Sequence, residues 1–428
     1  MTDGEGGTMK TACLRVWVGI ICIWAAASAC SGTAQEAAQA NAGLEPDRLA
    51  RIPGRMQEFV DSGTIAGAVT LVARHGEVVS LEAVGYQDLE TKTPMHTDAI
   101  FQVRSMTKSV TAVGIMILVE EGRVALSDAL EKYLPEFRGL SVMENHDSQG
   151  APVLKPPSRS VTIYDLLTHT SGMAPGLTQE LLADIRQEQT LAERPTLAAH
   201  MPLESQPGTK FSYSGIGYIV LGRVIEVASG QAYEKFIEER IFTPLGMRDS
   251  SLLPPLEKLD RVASTYERRE AKLVKSDFYD ITTYQTLRIP RPSSSMFSTA
   301  SDLFAFYQMM LNGGEVNGRR ILSPASVEVM TLCHTTELES LSPSFETGTY
   351  YGLGWYVVCR PEGTQQLQSI GSFGHGGLLN TRGWVDPQKH LVTVFLTSHA
   401  PSAEEWQTVI NHDEVHSFLA LAAATIAR

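Results

Sequence analysis

Between Val110 and Val119 the chain is apolar almost all the way round, in "SVTAVGIMILVEEGRV", which predicts a helix buried on most of its surface. Upstream, "AGAVTLVARHGEVVSLEAVGY" is two apolar runs around His75-Gly76, the signature of a β-hairpin. The middle of the chain switches to helical spacing in "VTIYDLLTHTSGM" and "YIVLGRVIEVASGQAYEKFIEERIFTPLGM". The last third returns to strands in "YGLGWYVV" and in "NTRGWVDPQKHLVTVFLTS", the latter turning at Asp386-Pro387-Gln388-Lys389, and closes on the apolar helix "VHSFLALAAATIA". Strands at both ends with helices between them predict an α/β (α+β) fold, with one antiparallel sheet assembled from both termini. The expected division is an α/β domain from residues 45–125 plus 295–428, a mainly helical insert at 126–294, and a site between them.

At the start of the buried helix stands "FQVRSMTKSV", with Ser105 and Lys108 three positions apart. Serine is a common helix N-cap, and about one Ser-x-x-Lys pair is expected by chance in such a composition, so the pair alone is weak evidence. The surrounding pattern changes this. A lysine on the first turn of a helix apolar all round points inward, where loss of hydration lowers its pKa. Positions i and i+3 share a helix face, so the Ser105 hydroxyl and Lys108 amine fall within reach of each other. That arrangement suits a serine nucleophile with a lysine proton acceptor beside a helix N-terminus.

The length suits one large domain or two closely joined ones. A net charge of -13 argues against nucleic acid or an anionic membrane as the main partner. The first segment reads as an export leader: Lys10 and Arg15, the 14-residue run "VWVGIICIWAAASA", then the exit Ala27-Ser28-Ala29. Cys30 follows as in a bacterial lipoprotein signal, although Ala27 stands where a larger aliphatic residue is usual. The expectation is an exported protein lacking residues 1–29, periplasmic or anchored through a lipid on Cys30. Among the remaining cysteines, Cys333 and Cys359 suit either a bridge or two separately buried thiols.

Two more stretches stand out, "FSYSGIGYIVLG" with Tyr213 and Ser214, and "FGHGGLLNTRGW" with His375-Gly376-Gly377. Singly, each has an ordinary reading as a packed aromatic and a turn. Together, Ser105-x-x-Lys108, "LLTHTSG" at 166–172, Tyr213-Ser214 and His375-Gly376-Gly377 resemble the serine β-lactamase superfamily. The branch most similar is that of class C β-lactamases, D,D-peptidases and family VIII carboxylesterases. "LSDALEKYLPEF", "PLGMRDS" and "STASDLFAFYQMML" add to the resemblance, which spans roughly residues 45 to 428.

The resemblance implies a β-lactamase/transpeptidase-like fold and an acyl-enzyme mechanism without a cofactor. It implies that Ser105 is the nucleophile, that Lys108 takes or relays its proton, and that Tyr213 activates the serine or protonates the leaving group. The backbone N–H groups of Ser105 and Leu378 would form the oxyanion hole, and His375-Gly376-Gly377 would occupy the place of the family's Lys-Thr-Gly strand. "LLTHTSG" reads as structural, with His169 shaping a helix end. Two departures bear on the substrate. Gly215 stands where class C lactamases carry an asparagine that contacts the substrate's amide side chain, which favours esters. His375 replaces a lysine and is largely neutral at pH 7, so Ser105, Lys108, Tyr213 and His375 titrate together and the base is either Lys108 or Tyr213.

The resulting expectation is a hydrolase of short-chain esters with weak action on β-lactams. The alternatives are a class C-type β-lactamase or D,D-peptidase, and a non-catalytic penicillin-binding envelope protein. The lack of any Gly-x-Ser-x-Gly in the chain argues against a nucleophile-elbow hydrolase. "HDEVH" at 412–416 carries two histidines at helical spacing but lacks the zincin glutamate, so no metal site is expected.

Overall fold

The computed structural model describes residues 42–178, 190–270, 272–277, 288–342, 347–362, 367–400 and 413–426, with Leu181 and Ile281 between them. The leader, Cys30 and His412 lie outside these residues. No helix among the described residues is long and apolar enough to cross a membrane.

Eight strands build the main sheet: β1 (Gly67–Arg74), β2 (Glu77–Asp88), β3 (Thr93–Pro94), β4 (Thr349–Tyr351), β5 (Tyr356–Val358), β6 (Phe373–Gly377), β7 (Thr381–Asp386) and β8 (Leu391–Thr397). Their spatial order is β4-β5-β6-β7-β8-β1-β2-β3, every neighbouring pair antiparallel. Two local meanders are therefore joined by one long-range pairing, β1 on β8, in which Leu71 faces Val394. His75 and Gly76 turn the β1–β2 hairpin with φ of 53° and 84°. Positive φ at both positions is the geometry that a right-twisted hairpin requires. Between β7 and β8 the Asp386 carboxylate accepts the Lys389 N–H, closing the second turn.

Both faces of the sheet are covered, which is why β1 and β8 read as continuous apolar runs rather than alternating ones. On one face Ala68, Val72 and Phe395 pack with helix α1 (Arg51–Asp61) and the closing helix, Asp413–Ala424. On the other, Val69, Leu71, Val392 and Val394 join the larger core with the helix Thr107–Glu120, here α2. From Thr107 to Leu118 every residue of α2 is buried.

The same core continues through the section between the two halves of the sheet. There α2 is followed by α3 (Ile163–Leu167) and α4 (Gly215–Ser229), whose Leu166, Val220 and Ile225 pack with Ala112 and Ile115. This section also holds two hairpins that its helical spacing did not predict, Val142–His146 with Pro152–Lys155 and Tyr266–Arg269 with Lys272–Lys275. Both lie largely at the surface, where short polar strands leave little trace in the hydrophobic pattern. Cys333 and Cys359 form a disulfide with Cα atoms 6.3 Å apart. The alternative of two separate thiols is thereby set aside.

Candidate active site

Ser105 sits in a 3-10 turn, Arg104–Met106, that leads directly into α2. Neither helix start has a side-chain cap, so Ser105 does not act as an N-cap. Its Oγ instead lies 3.1 Å from Lys108 Nζ. Lys108 is 2% exposed. Its Nζ also donates to the Ser293 carbonyl at 2.9 Å and lies over the Tyr213 ring, 4.7 Å from the centroid. Desolvation, aided by the Arg104 guanidinium, lowers the Lys108 pKa from 10.5 to about 7. The amine thus exists in both protonation states near neutrality, beside a hydroxyl.

Tyr213 interacts through its phenol with Ser105, yet burial pushes its pKa well above that of a free tyrosine. It is a protonated phenol across the working pH range, suited to donate rather than to accept. Gly215 opens α4 just beyond it, behind the N-cap Ser214, whose Oγ accepts the Gly217 N–H. A Cβ on residue 215 would meet the Pro175 carbonyl at 3.2 Å and Ser293 Oγ at 4.0 Å, and its φ is not in the left-handed region.

His375 lies in β6, buried, with Nδ1 2.7 Å from the Gly376 carbonyl and Nε2 3.2 Å from the Tyr351 hydroxyl. A neutral ring that donates from Nδ1 and accepts at Nε2 satisfies both contacts. Burial, with the Lys108 charge second, lowers its pKa to about 3. Its ring is 6.4 Å from that of Tyr213, so it stands behind the tyrosine as a neutral group. Gly376 pairs with Arg382 and Gly377 with Thr381 in the β6–β7 ladder. Gly377 admits no side chain, because a Cβ would collide with the Val103 carbonyl and Thr381 Oγ1. This close approach brings the end of β6, and half-buried Leu378 after it, against the chain entering the Ser105 turn. Ser105 is in a first turn, where backbone N–H groups lack helical acceptors.

The residues singled out in sequence therefore converge on one place: Ser105 from the 3-10 turn and Lys108 from α2, Tyr213 just before α4 and Gly215 at its start, and His375 to Leu378 from the end of β6. Of the residues behind them, sequence reasoning named His169 alone, as shaping a helix end. His169 holds φ at 59° just past the end of α3, as a helix-end residue does, but its Nδ1 also accepts the Ser214 N–H at 3.0 Å. Tyr351 and Tyr356 close the aromatic wall, with Tyr356 stacked 6.3 Å from Tyr213. Their only signal was "YGLGWYVV", read as strand. The Ser293 carbonyl had none. Of the metal motif, His416 lies on the closing helix, and its partner His412 is not described.

Residues 53–413 match the Beta-lactamase family. An uncharacterized protein of Mycobacterium tuberculosis is 30% identical over 360 residues, covering 81% of this chain and 89% of the relative. Esterase EstB of Burkholderia gladioli is 34% identical over 212 residues, 47% of this chain and 50% of the esterase. Among solved structures, EstCE1, titled a hydrolase with promiscuous acyltransferase activity, superposes with a TM-score of 0.68 at 24% identity, covering 86% of this chain and 98% of that one.

Proposed function

The chain belongs to the Beta-lactamase family, and from that premise we propose that it is an exported serine hydrolase. It forms an acyl-enzyme on Ser105 and cleaves short-chain carboxylic esters in preference to β-lactams. The observation that carries this reading is the Ser105–Lys108 contact of 3.1 Å with a lysine whose pKa is about 7. Neutral Lys108 takes the Ser105 proton as Oγ attacks the ester carbonyl. The resulting oxyanion is held by the N–H groups of Ser105 and Leu378. Tyr213, kept protonated by burial, gives its proton to the leaving alkoxide and recovers one from Lys108. Water then releases the acid by the same route in reverse.

Preference for esters rests on Gly215, which offers no side-chain amide to a lactam, and it agrees with the name of the EstB relative. Export rests on the leader pattern, with a lipid on Cys30 or simple cleavage as its two ends. It is supported by the Cys333–Cys359 bridge, since structural disulfides persist in oxidising compartments. The test is a fluorophosphonate probe followed by intact mass. One adduct is expected on the wild type, none on Ser105→Ala, with p-nitrophenyl butyrate turned over and nitrocefin turned over weakly. Labelling of Ser105→Ala at the wild-type rate overturns the assignment.

A further inference from the structure

Four consecutive backbone N–H groups, from Ser212 to Gly215, each find an acceptor in a distant part of the chain. The Ser212 N–H goes to the His169 carbonyl at 2.9 Å, the Ser214 N–H to His169 Nδ1 at 3.0 Å, and the Gly215 N–H to the Pro175 carbonyl at 2.9 Å. The Tyr213 N–H goes instead to Ser342 Oγ at 2.7 Å, across 129 positions. We infer that Ser342 is a positioning residue for Tyr213: its hydroxyl fixes the backbone from which the phenol reaches the leaving group, and so sets how well poor leaving groups are expelled. This rests on the hydrolase reading above, in which Tyr213 protonates the departing alkoxide.

The need for an acceptor follows from local structure. Ser214 is the N-cap of α4 and is extended, with φ of -119° and ψ of 118°. Tyr213 therefore precedes the helix, where no helical carbonyl serves its N–H, and a part-buried N–H must be satisfied from elsewhere. A short parallel pairing supplies the partner, with Lys210 opposite Glu339 and Phe211 opposite Ser340. The Leu341 N–H then donates to the Phe211 carbonyl at 2.8 Å, which carries Ser342 alongside Tyr213. Ser340 Oγ donates to the Ser342 carbonyl at 2.8 Å and holds that residue's backbone in turn. Farther back, the same segment is tied to the aromatic wall, because Thr335 Oγ1 accepts the Tyr351 N–H at 2.9 Å.

The consequence is chemical. The Tyr213 ring lies against those of His169, Tyr356 and His375 and under the Lys108 amine. Such contacts are weakly directional, so the backbone decides where along them the hydroxyl stops. A general acid must lie within hydrogen-bond reach of the atom it protonates, and a misplacement of about 1 Å can cost about a hundredfold. An alkoxide needs that proton to leave. p-Nitrophenolate leaves without one at neutral pH, so a displaced phenol should separate two esters of the same acid.

The experiment compares kcat/KM for ethyl butyrate and p-nitrophenyl butyrate in the wild type, Ser342→Ala, Ser342→Thr and Glu339→Gln. Each variant's folding is checked by its thermal transition. Ser342→Ala is expected to lose about tenfold more on the ethyl ester than on the p-nitrophenyl ester. Ser342→Thr keeps the hydroxyl and should recover most of that loss. Glu339→Gln removes only the exposed ion pair of this segment with Lys210 and should leave the ratio unchanged. An equal loss on both esters, no loss, a threonine variant no better than the alanine one, or a Glu339→Gln that imitates Ser342→Ala overturns the role. Wild type that turns over neither ester but is labelled on Ser105 by a fluorescent penicillin contradicts the hydrolase reading alone. The labelling rate then replaces kcat/KM, because opening a lactam also places a proton on the departing nitrogen. Labelling slowed in Ser342→Ala and restored in Ser342→Thr supports the role, and labelling unchanged in Ser342→Ala overturns it. Wild type that reacts with neither the esters nor the penicillin overturns both readings.

Discussion

His169 accepts the Ser214 N–H on its Nδ1 at 3.0 Å, while its own carbonyl accepts the Ser212 N–H at 2.9 Å. One residue thus holds the backbone on both sides of Tyr213, and its ring packs 4.4 Å from the tyrosine's. Burial keeps this histidine neutral, its pKa well below the usual value, which leaves Nδ1 able to accept.

Removing that acceptor strands a buried N–H at a cost of about 1 to 3 kcal/mol. His169→Ala is expected to lower kcat for p-nitrophenyl butyrate by about tenfold or more with little change in KM, and to lower the melting temperature. Asparagine tolerates positive φ and offers an acceptor, so His169→Asn should recover part of kcat. A loss of stability with unchanged kcat would limit His169 to a structural role.

With Lys108 as the base, kcat/KM should rise with pH through about 7, as the amine loses its proton. His375, with a pKa of about 3, contributes no titration between pH 5 and 9. Ser105→Ala and Lys108→Ala should each cost at least about a thousandfold, and the double variant little more, because the two act as one unit. A pH–rate profile on correctly folded protein checks both points, and a flat profile from pH 5 to 9 contradicts the assignment of the base.

The same lysine should weaken the fold. Its folded pKa of about 7 lies below the unfolded value near 10.5, so between these limits the unfolded chain binds the extra proton and stability rises with pH. The full cost, of order 5 kcal/mol, is present below pH 7 and relieved toward pH 10. Urea unfolding at pH 6 and pH 9 should show Lys108→Met gaining on the wild type at pH 6, with the gain smaller at pH 9. An equal difference at both pH values would show that Lys108 is not held near neutrality.

Gly215→Asn should raise the ratio of nitrocefin to p-nitrophenyl butyrate turnover by about tenfold, the worth of one or two hydrogen bonds at roughly 0.5 to 1.5 kcal/mol each. The backbone φ is not positive, and the one tight contact of a new Cβ, with the Pro175 carbonyl at 3.2 Å, requires that segment to yield by a few tenths of an ångström. Wild-type protein that already cleaves nitrocefin as fast as its best ester would remove Gly215 from the preference.

The Cys333–Cys359 bridge closes a loop with a sequence separation of 26, for which chain entropy alone gives about 3.5 kcal/mol. Cys359→Ser, or wild type held in a thiol reductant, should melt several degrees lower. The effect on activity should be smaller than the effect on stability, because the bridge adjoins the site at its aromatic wall, through Tyr356 in β5 and through His334, whose N–H donates to the Tyr351 carbonyl, and not at Ser105 or Lys108. An unchanged melting curve after reduction would show that the bridge does not form in solution.

What could be read from the sequence is what local spacing encodes. Residues three apart on an apolar helix must share a face, so Ser105 and Lys108 were legible as a pair, as was the inward course of the lysine. His75-Gly76 between apolar runs marked a hairpin for equally local reasons. The fold class followed from strands at both ends of the chain, and the ordered motifs carried the family. Tertiary structure decided whatever depends on segments far apart in the chain. It set the pairing of β1 with β8, and it brought the Ser293 carbonyl to Lys108 across 185 positions. It put His169 beside Ser214 across 45 positions. Burial is the common physical reason: the distance of a group from water fixes the protonation states of Lys108, Tyr213 and His375, and that distance exists only once the two halves of the sheet have closed on the helices between them.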